Sequence, residues 1–173
     1  MRNLFRFLHR FKRVFLIKNI DFIKTVRFNF HYFSFRTALK IPVYVYKATD
    51  LYRMQGNIVL DVSDIWTGMV KLGPHGLGTR DRRYERTMWE VYGTVIVKGI
   101  VNIGSGTRIS VGEKGCLVIG PNFCITGGSE IICQNKISFG EDCLISWDVL
   151  LMDTDHHHIL DNKDNTLNED KAI

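Results

Sequence analysis

Over residues 101–159 the apolar positions keep a six-residue beat. Ile119, Ile125 and Ile131 stand six apart, and after a step of two more residues Phe139, Ile145 and Leu151 repeat the spacing. Gly follows the first residue of the lead hexads, at Ile103-Gly104, Ile119-Gly120 and Phe139-Gly140. A small or apolar residue often fills the fifth place, as at Thr107, Ser129, Cys143 and Val149. A period of six fits neither the 3.6 of a helix nor the two of a strand. It fits a chain that turns a corner every six residues, with three short faces per coil. Stacked coils then bury one inward residue per face, and Gly or Asn takes the strained corners. The pattern predicts an all-β chain built as a parallel β-helix.

Upstream the pattern changes. Over residues 3–17, Leu4, Phe7, Leu8, Phe11, Val14 and Phe15 share one arc of a helical wheel, with Arg2, Arg6, His9, Arg10 and Arg13 on the other side. Such a helix suits a membrane interface. It suits equally a helix whose aromatic face packs on its own domain or on a neighbouring subunit. Residues 21–40, rich in Phe, continue this arm toward the body. Pro42 introduces PVYVY, an alternating strand candidate, and residues 57–62, NIVLDV, give a second. Residues 73–86 are glycine-rich and then charged, which predicts a surface loop; the spacing of Gly73, Gly76 and Gly78 matches no phosphate-binding loop. Short strands resume from Trp89 and merge into the regular coils. The division expected is a basic amphipathic helical arm, 1–41, and a β-helix domain, 42–173.

Charge sharpens that division. Residues 1–41 hold ten Lys/Arg against one Asp, while the remainder holds thirteen against seventeen acids. The basic tail is the feature to explain, and no nucleic-acid recognition motif accompanies it, so nucleic acid is not an expected partner. Cys116, Cys124, Cys133 and Cys143 form no CxxC pair and read as small buried apolar side chains, reduced as in the cytoplasm. No run of eighteen apolar residues spans a membrane, and no uncharged apolar segment with a cleavage site marks a signal peptide.

The repeat resembles the hexapeptide-repeat acyltransferases, whose β-helix is left-handed against the usual crossover rule. The run ISFGEDCLISWDVLLMDTDHHHI is similar to the segment ending in Asp-Thr-Asp-X-His in acetyltransferases of bacterial capsule and lipopolysaccharide synthesis. Maltose and galactoside O-acetyltransferases are more distant relatives. The resemblance covers residues 36–173 and is most specific in the last forty. It implies an acetyl-CoA-dependent O-acetyltransferase acting on a sugar hydroxyl of a surface polysaccharide or its precursor. It further implies a homotrimer with sites between neighbours, cytoplasmic and peripheral at the inner face of the cell membrane. Membrane contact would run through residues 3–17.

The motif carries a chemistry. A hydroxyl attacks a thioester only as its proton is taken, and imidazole, with a pKa near 6.5, suits that task. The resemblance puts the base on His157, with His156 in the variable place and Asp153 and Asp155 available to orient or charge-stabilise it. His158 stands where sugar acetyltransferases often have Pro. Trp147, between Ser146 and Asp148, is a candidate to stack on a sugar ring or on part of the acetyl-CoA; packing beneath the histidine loop explains it equally well. Residues 125–129, ITGGS, lack the Asn-rich sugar-binding stretch of the maltose enzymes, which points to a larger glycan acceptor. A metal is not expected, because three adjacent His cannot reach one ion from separate coils and His75 is remote. Family members continue with coils that carry much of the acyl-CoA site, whereas this chain turns polar after His158. The domain is therefore expected to be incomplete, with its acyl-CoA-binding residues unassigned. The alternative is a non-catalytic or truncated β-helix scaffold that binds a partner or a membrane surface.

Overall fold

The structure, a computed structural model, describes residues 19–74, 84–157, 160 and 173. The helix expected over residues 3–17 lies outside the described residues, as do His75, His158 and most of the loop expected at 73–86.

Among the described residues fourteen strands wind through five coils. The first holds β1 (Val43–Val45), β2 (Thr49–Met54) and β3 (Asn57–Leu60); the second holds β4 (Val70–Leu72), β5 (Thr87–Val91) and β6 (Thr94–Val97). The third holds β7 (Val101–Ile103), β8 (Arg108–Val111) and β9 (Cys116–Ile119). The fourth holds β10 (Phe123–Gly127), β11 (Glu130–Cys133) and β12 (Lys136–Phe139), and the fifth β13 (Leu144–Trp147) and β14 (Leu150–Met152). Every third strand pairs in parallel, so the coils build three parallel sheets: β1-β4-β7-β10-β13, β2-β5-β8-β11-β14 and β3-β6-β9-β12. This is the topology of a three-sided parallel β-helix.

The six-residue beat maps onto the sheets one step at a time. Ile119 faces inward from the third sheet, Ile125 from the first and Ile131 from the second, and all three are fully buried. Phe139, Ile145 and Leu151 stack directly on them. The extra step of two lies along β12, where Ile137, six residues after Ile131, is buried and Phe139 follows it on the same inward face. Strand alternation explains the cysteines as well. Cys133 points inward and is buried, whereas Cys116 and Cys124 occupy outward positions and, like Cys143, are only half-buried; all four are free thiols. The expectation that they would serve generally as buried apolar side chains thus holds for Cys133 alone.

Two kinds of corner need special residues. Gly106, Gly128 and Asp148 turn from the first sheet to the second at φ of 78°, 64° and 58°, the left-handed region. Gly104 is required by proximity instead, since a Cβ there would lie 1.9 Å from the Thr126 carbonyl oxygen of the next coil. Gly120 is confined in the same way, 2.1 Å from the Gly140 oxygen, but a Cβ on Gly140 itself would meet nothing within 4 Å.

The first coil has a lid. Asp21 caps helix α1 (Phe22–Tyr32) by accepting from the Lys24 amide at 3.0 Å, and a second, four-residue helix α2 (Phe35–Ala38) follows. α1 lies on edge strand β1, and its Thr25 and Asn29, one turn apart, hydrogen-bond the N–H and C=O of Val45 and Val43. Phe28 sits between them, buried against Trp89 in the same core as the coils. Polar side chains thus satisfy a strand edge that would otherwise invite another chain. At the opposite end Phe139, Ile145 and Leu151 are only half-buried, although the residues beneath them are fully covered. Ile173 exchanges two backbone hydrogen bonds with β12, to the Lys136 oxygen at 2.8 Å and from the Ser138 amide at 2.7 Å.

Candidate functional site

The histidine tract leaves the fifth coil where the second sheet turns toward the third. β14 ends at Met152, and Asp153 takes the inward place that Cys133 holds one coil below. An aspartate in an aliphatic column has to be satisfied, and this one is. Its Oδ1 accepts from the Gln134 amide at 2.6 Å and its Oδ2 from the Asn135 amide at 2.9 Å, with only 5% of the residue exposed. The carboxylate therefore clamps the corner beneath it. Its charge also acts on Cys133, whose sulfur lies 3.7 Å from Oδ2. Burial first, and then the Asp153 charge, push that thiol up to about 11, so Cys133 stays protonated and inert at neutral pH.

From this anchor the loop is raised into solvent in three steps. Thr154 is buried, and its hydroxyl accepts from the His156 amide at 3.1 Å, which tightens the turn. His156 adopts a left-handed φ of 54°. Asp155, His156 and His157 are exposed. His157 Nδ1 lies 2.8 Å from the His156 carbonyl oxygen, which can only accept, so Nδ1 is the donor of this contact. In a neutral ring that arrangement leaves Nε2 as the acceptor nitrogen.

The other expected site residues occupy a different corner. Ser146 and Trp147 end β13, and Asp148 makes the left-handed turn toward β14. Ser129, one coil below, holds this turn: its hydroxyl donates to the Ser146 carbonyl at 3.1 Å and accepts from the Val149 amide at 3.1 Å. Trp147 is 58% exposed, and its side chain is not packed away beneath the histidine loop. The whole of β14 separates the Trp147 corner from Asp153, roughly 15 Å at the rise of an extended strand. The structure joins Asp153 to the corner at 134–135 and His157 to His156, while Ser146, Trp147 and Asp148 lie at the other end of β14. Ser129 and Asp153 position the two corners, roles that their inward register alone could have signalled.

Among the described residues no group of three His, Cys, Asp or Glu gathers to hold a metal ion. Comparison with family models, with curated proteins and with solved structures finds no match to this chain.

Proposed function

We propose that this chain is an acetyl-CoA-dependent O-acetyltransferase of the hexapeptide-repeat type, with a left-handed coil, acting on a hydroxyl of a surface polysaccharide or its precursor at the inner face of the cell membrane. One observation carries the reading: an exposed imidazole whose Nδ1 is held by a backbone carbonyl, on a loop anchored by a buried carboxylate at the end of a parallel β-helix. His157 Nε2 takes the proton of the acceptor hydroxyl as that oxygen attacks the thioester carbonyl. The C–S bond then breaks, and the imidazolium returns its proton to the departing thiolate. Asp155, two residues before His157, is the carboxylate we assign to stabilise the imidazolium, and Asp153 is engaged with backbone amides.

The separation of the two corners supports a homotrimeric arrangement. In such an arrangement the Trp147 corner of one subunit would stack on the acceptor sugar beside the His157 loop of its neighbour. The decisive experiment incubates the full chain with radiolabelled acetyl-CoA and a capsular or lipopolysaccharide oligosaccharide, with His157→Ala as control. Label transfer that depends on His157 supports the reading; calorimetry showing no acetyl-CoA binding sinks it.

A second reading, a non-catalytic scaffold, draws support from the half-buried Phe139, Ile145 and Leu151, an apolar layer suited to receiving another chain.

A further inference from the structure

Helix α1 is apolar on both sides. Thr25, Phe28, Asn29 and Tyr32 face the β-body, as a cap requires. Ile23, Arg27 and Phe30 fall diametrically opposite at 100° per residue, where a surface helix should be polar. Yet Ile23 is 79% exposed, and Phe22 beside it 77%. The surface continues onto α2 and the residue after it, where Phe35 is 68% exposed and Leu39 60%. Phe30 and Phe35 touch edge to face, their centroids 5.8 Å apart, so the two helices share one apolar face. A monomeric surface rarely leaves so many large apolar side chains together in water.

The charges on this face have one sign. Arg27, Arg36 and Lys40 are exposed. The only acid in residues 1–41 is Asp21, which caps α1 and pairs with Lys24. An apolar face whose exposed charged side chains, on the helices and just after them, are Arg27, Arg36 and Lys40 is complementary to anionic headgroups above an acyl layer. It is not complementary to a second copy of itself. Residues 1–18 hold six Lys/Arg and no acid, so covering this face with them would bring like charges together.

The geometry points to the outer face of α1 and α2 as a docking surface for an anionic lipid bilayer. Phe22, Ile23, Phe35 and Leu39 enter the acyl boundary while Arg27, Arg36 and Lys40 meet phosphate groups. Among the described residues no helix is long and apolar enough to cross a membrane, so the attachment is peripheral. The β-helix then stands with its capped first coil against the lipid and its histidine loop at the far end. This inference does not depend on acetyl transfer.

The test is co-sedimentation of the full chain with phosphatidylcholine vesicles, with and without phosphatidylglycerol. Two variants are compared: Phe22→Ser/Ile23→Ser/Phe35→Ser/Leu39→Ser, and Arg27→Glu/Arg36→Glu. All six side chains are exposed, so both variants should fold. Binding should require the anionic lipid and fall about tenfold or more in either variant, with a weaker salt dependence in the second. Three results would each overturn the assignment: equal binding to neutral vesicles, unchanged binding by both variants, or an apolar variant that alters oligomeric state and leaves lipid binding intact. The second would place the binding on residues 1–18, and the third would make the face a protein interface.

Discussion

Asn29 and Val43 exchange a reciprocal pair of hydrogen bonds: the side-chain amide donates to the Val43 carbonyl at 2.7 Å and accepts from its N–H at 3.1 Å. A helix side chain thereby takes the place of the neighbouring strand that β1 lacks. Asn29 is fully buried, so Asn29→Leu should leave both backbone groups without partners. At about 1–3 kcal/mol for each stranded group, the loss should be about 2–6 kcal/mol in chemical denaturation. A change below about 0.5 kcal/mol would mean that water reaches this edge and the cap is incidental.

The three glycines after Ile103, Ile119 and Phe139 look alike in sequence and should behave differently. Gly104→Ala and Gly120→Ala each drive a methyl into a backbone carbonyl of the next coil and should destabilise by about 1–3 kcal/mol, near the top of that range because the wall is main chain. Gly140→Ala meets open space and should stay within about 0.5 kcal/mol. If thermal melts show Gly140→Ala to be as damaging as Gly120→Ala, another backbone lies over the fifth coil in the assembled protein.

What the sequence displayed depended on how regular each coil is. The later coils were legible because Ile119, Ile125 and Ile131 step from sheet to sheet without interruption. Alternation displays β1, and NIVLDV displays β3, but Asp50 and Arg53 dilute the pattern of β2, whose register slips between them. In the sequence α1 is visible only as part of an arm. Its inward face includes Thr25 and Asn29, which bond a strand edge, and its outward face is apolar, so the usual contrast between faces is blurred. The Asp-Thr-Asp motif dominates locally and presents Asp153 as a partner of imidazole. Its register one coil above Cys133 is what commits it to the corner amides.

Alkaline pH should weaken the fold. Burial raises the Cys133 thiol from an ordinary value near 9 to about 11, and burial with the Tyr44 charge raises the Tyr46 hydroxyl from 10 to about 12. In both cases the folded state holds the proton more tightly than the unfolded chain. The stability they contribute is fully present below about pH 9 and is lost as pH rises toward 11 and 12. Denaturant midpoints should therefore fall from pH 9 upward, and Cys133→Val should flatten the lower part of that fall. Thiol titration at pH 8 should label Cys133 more slowly than half-buried Cys116 or Cys143. Equal labelling rates would contradict the burial.

The site makes its sharpest prediction in how Asp153, Asp155 and His157 separate. Asp153→Asn replaces one acceptor oxygen by a donor facing a backbone amide, so it should destabilise by about 1–3 kcal/mol. Any loss of activity in that variant should track unfolding. Asp155 and His157 are exposed, and Asp155→Asn and His157→Ala should change stability by less than about 0.5 kcal/mol. His157→Ala should nevertheless lower kcat by about 10² to 10⁴, the usual worth of a general base, with acetyl-CoA affinity unchanged. Asp155→Asn should lower kcat less than His157→Ala does. His156→Ala serves as the control for the turn: it removes a left-handed residue without touching the base. If His156→Ala proves as damaging to kcat as His157→Ala while stability is unchanged, the base has been assigned to the wrong imidazole. A chelator that abolished activity would instead make the tract a metal site.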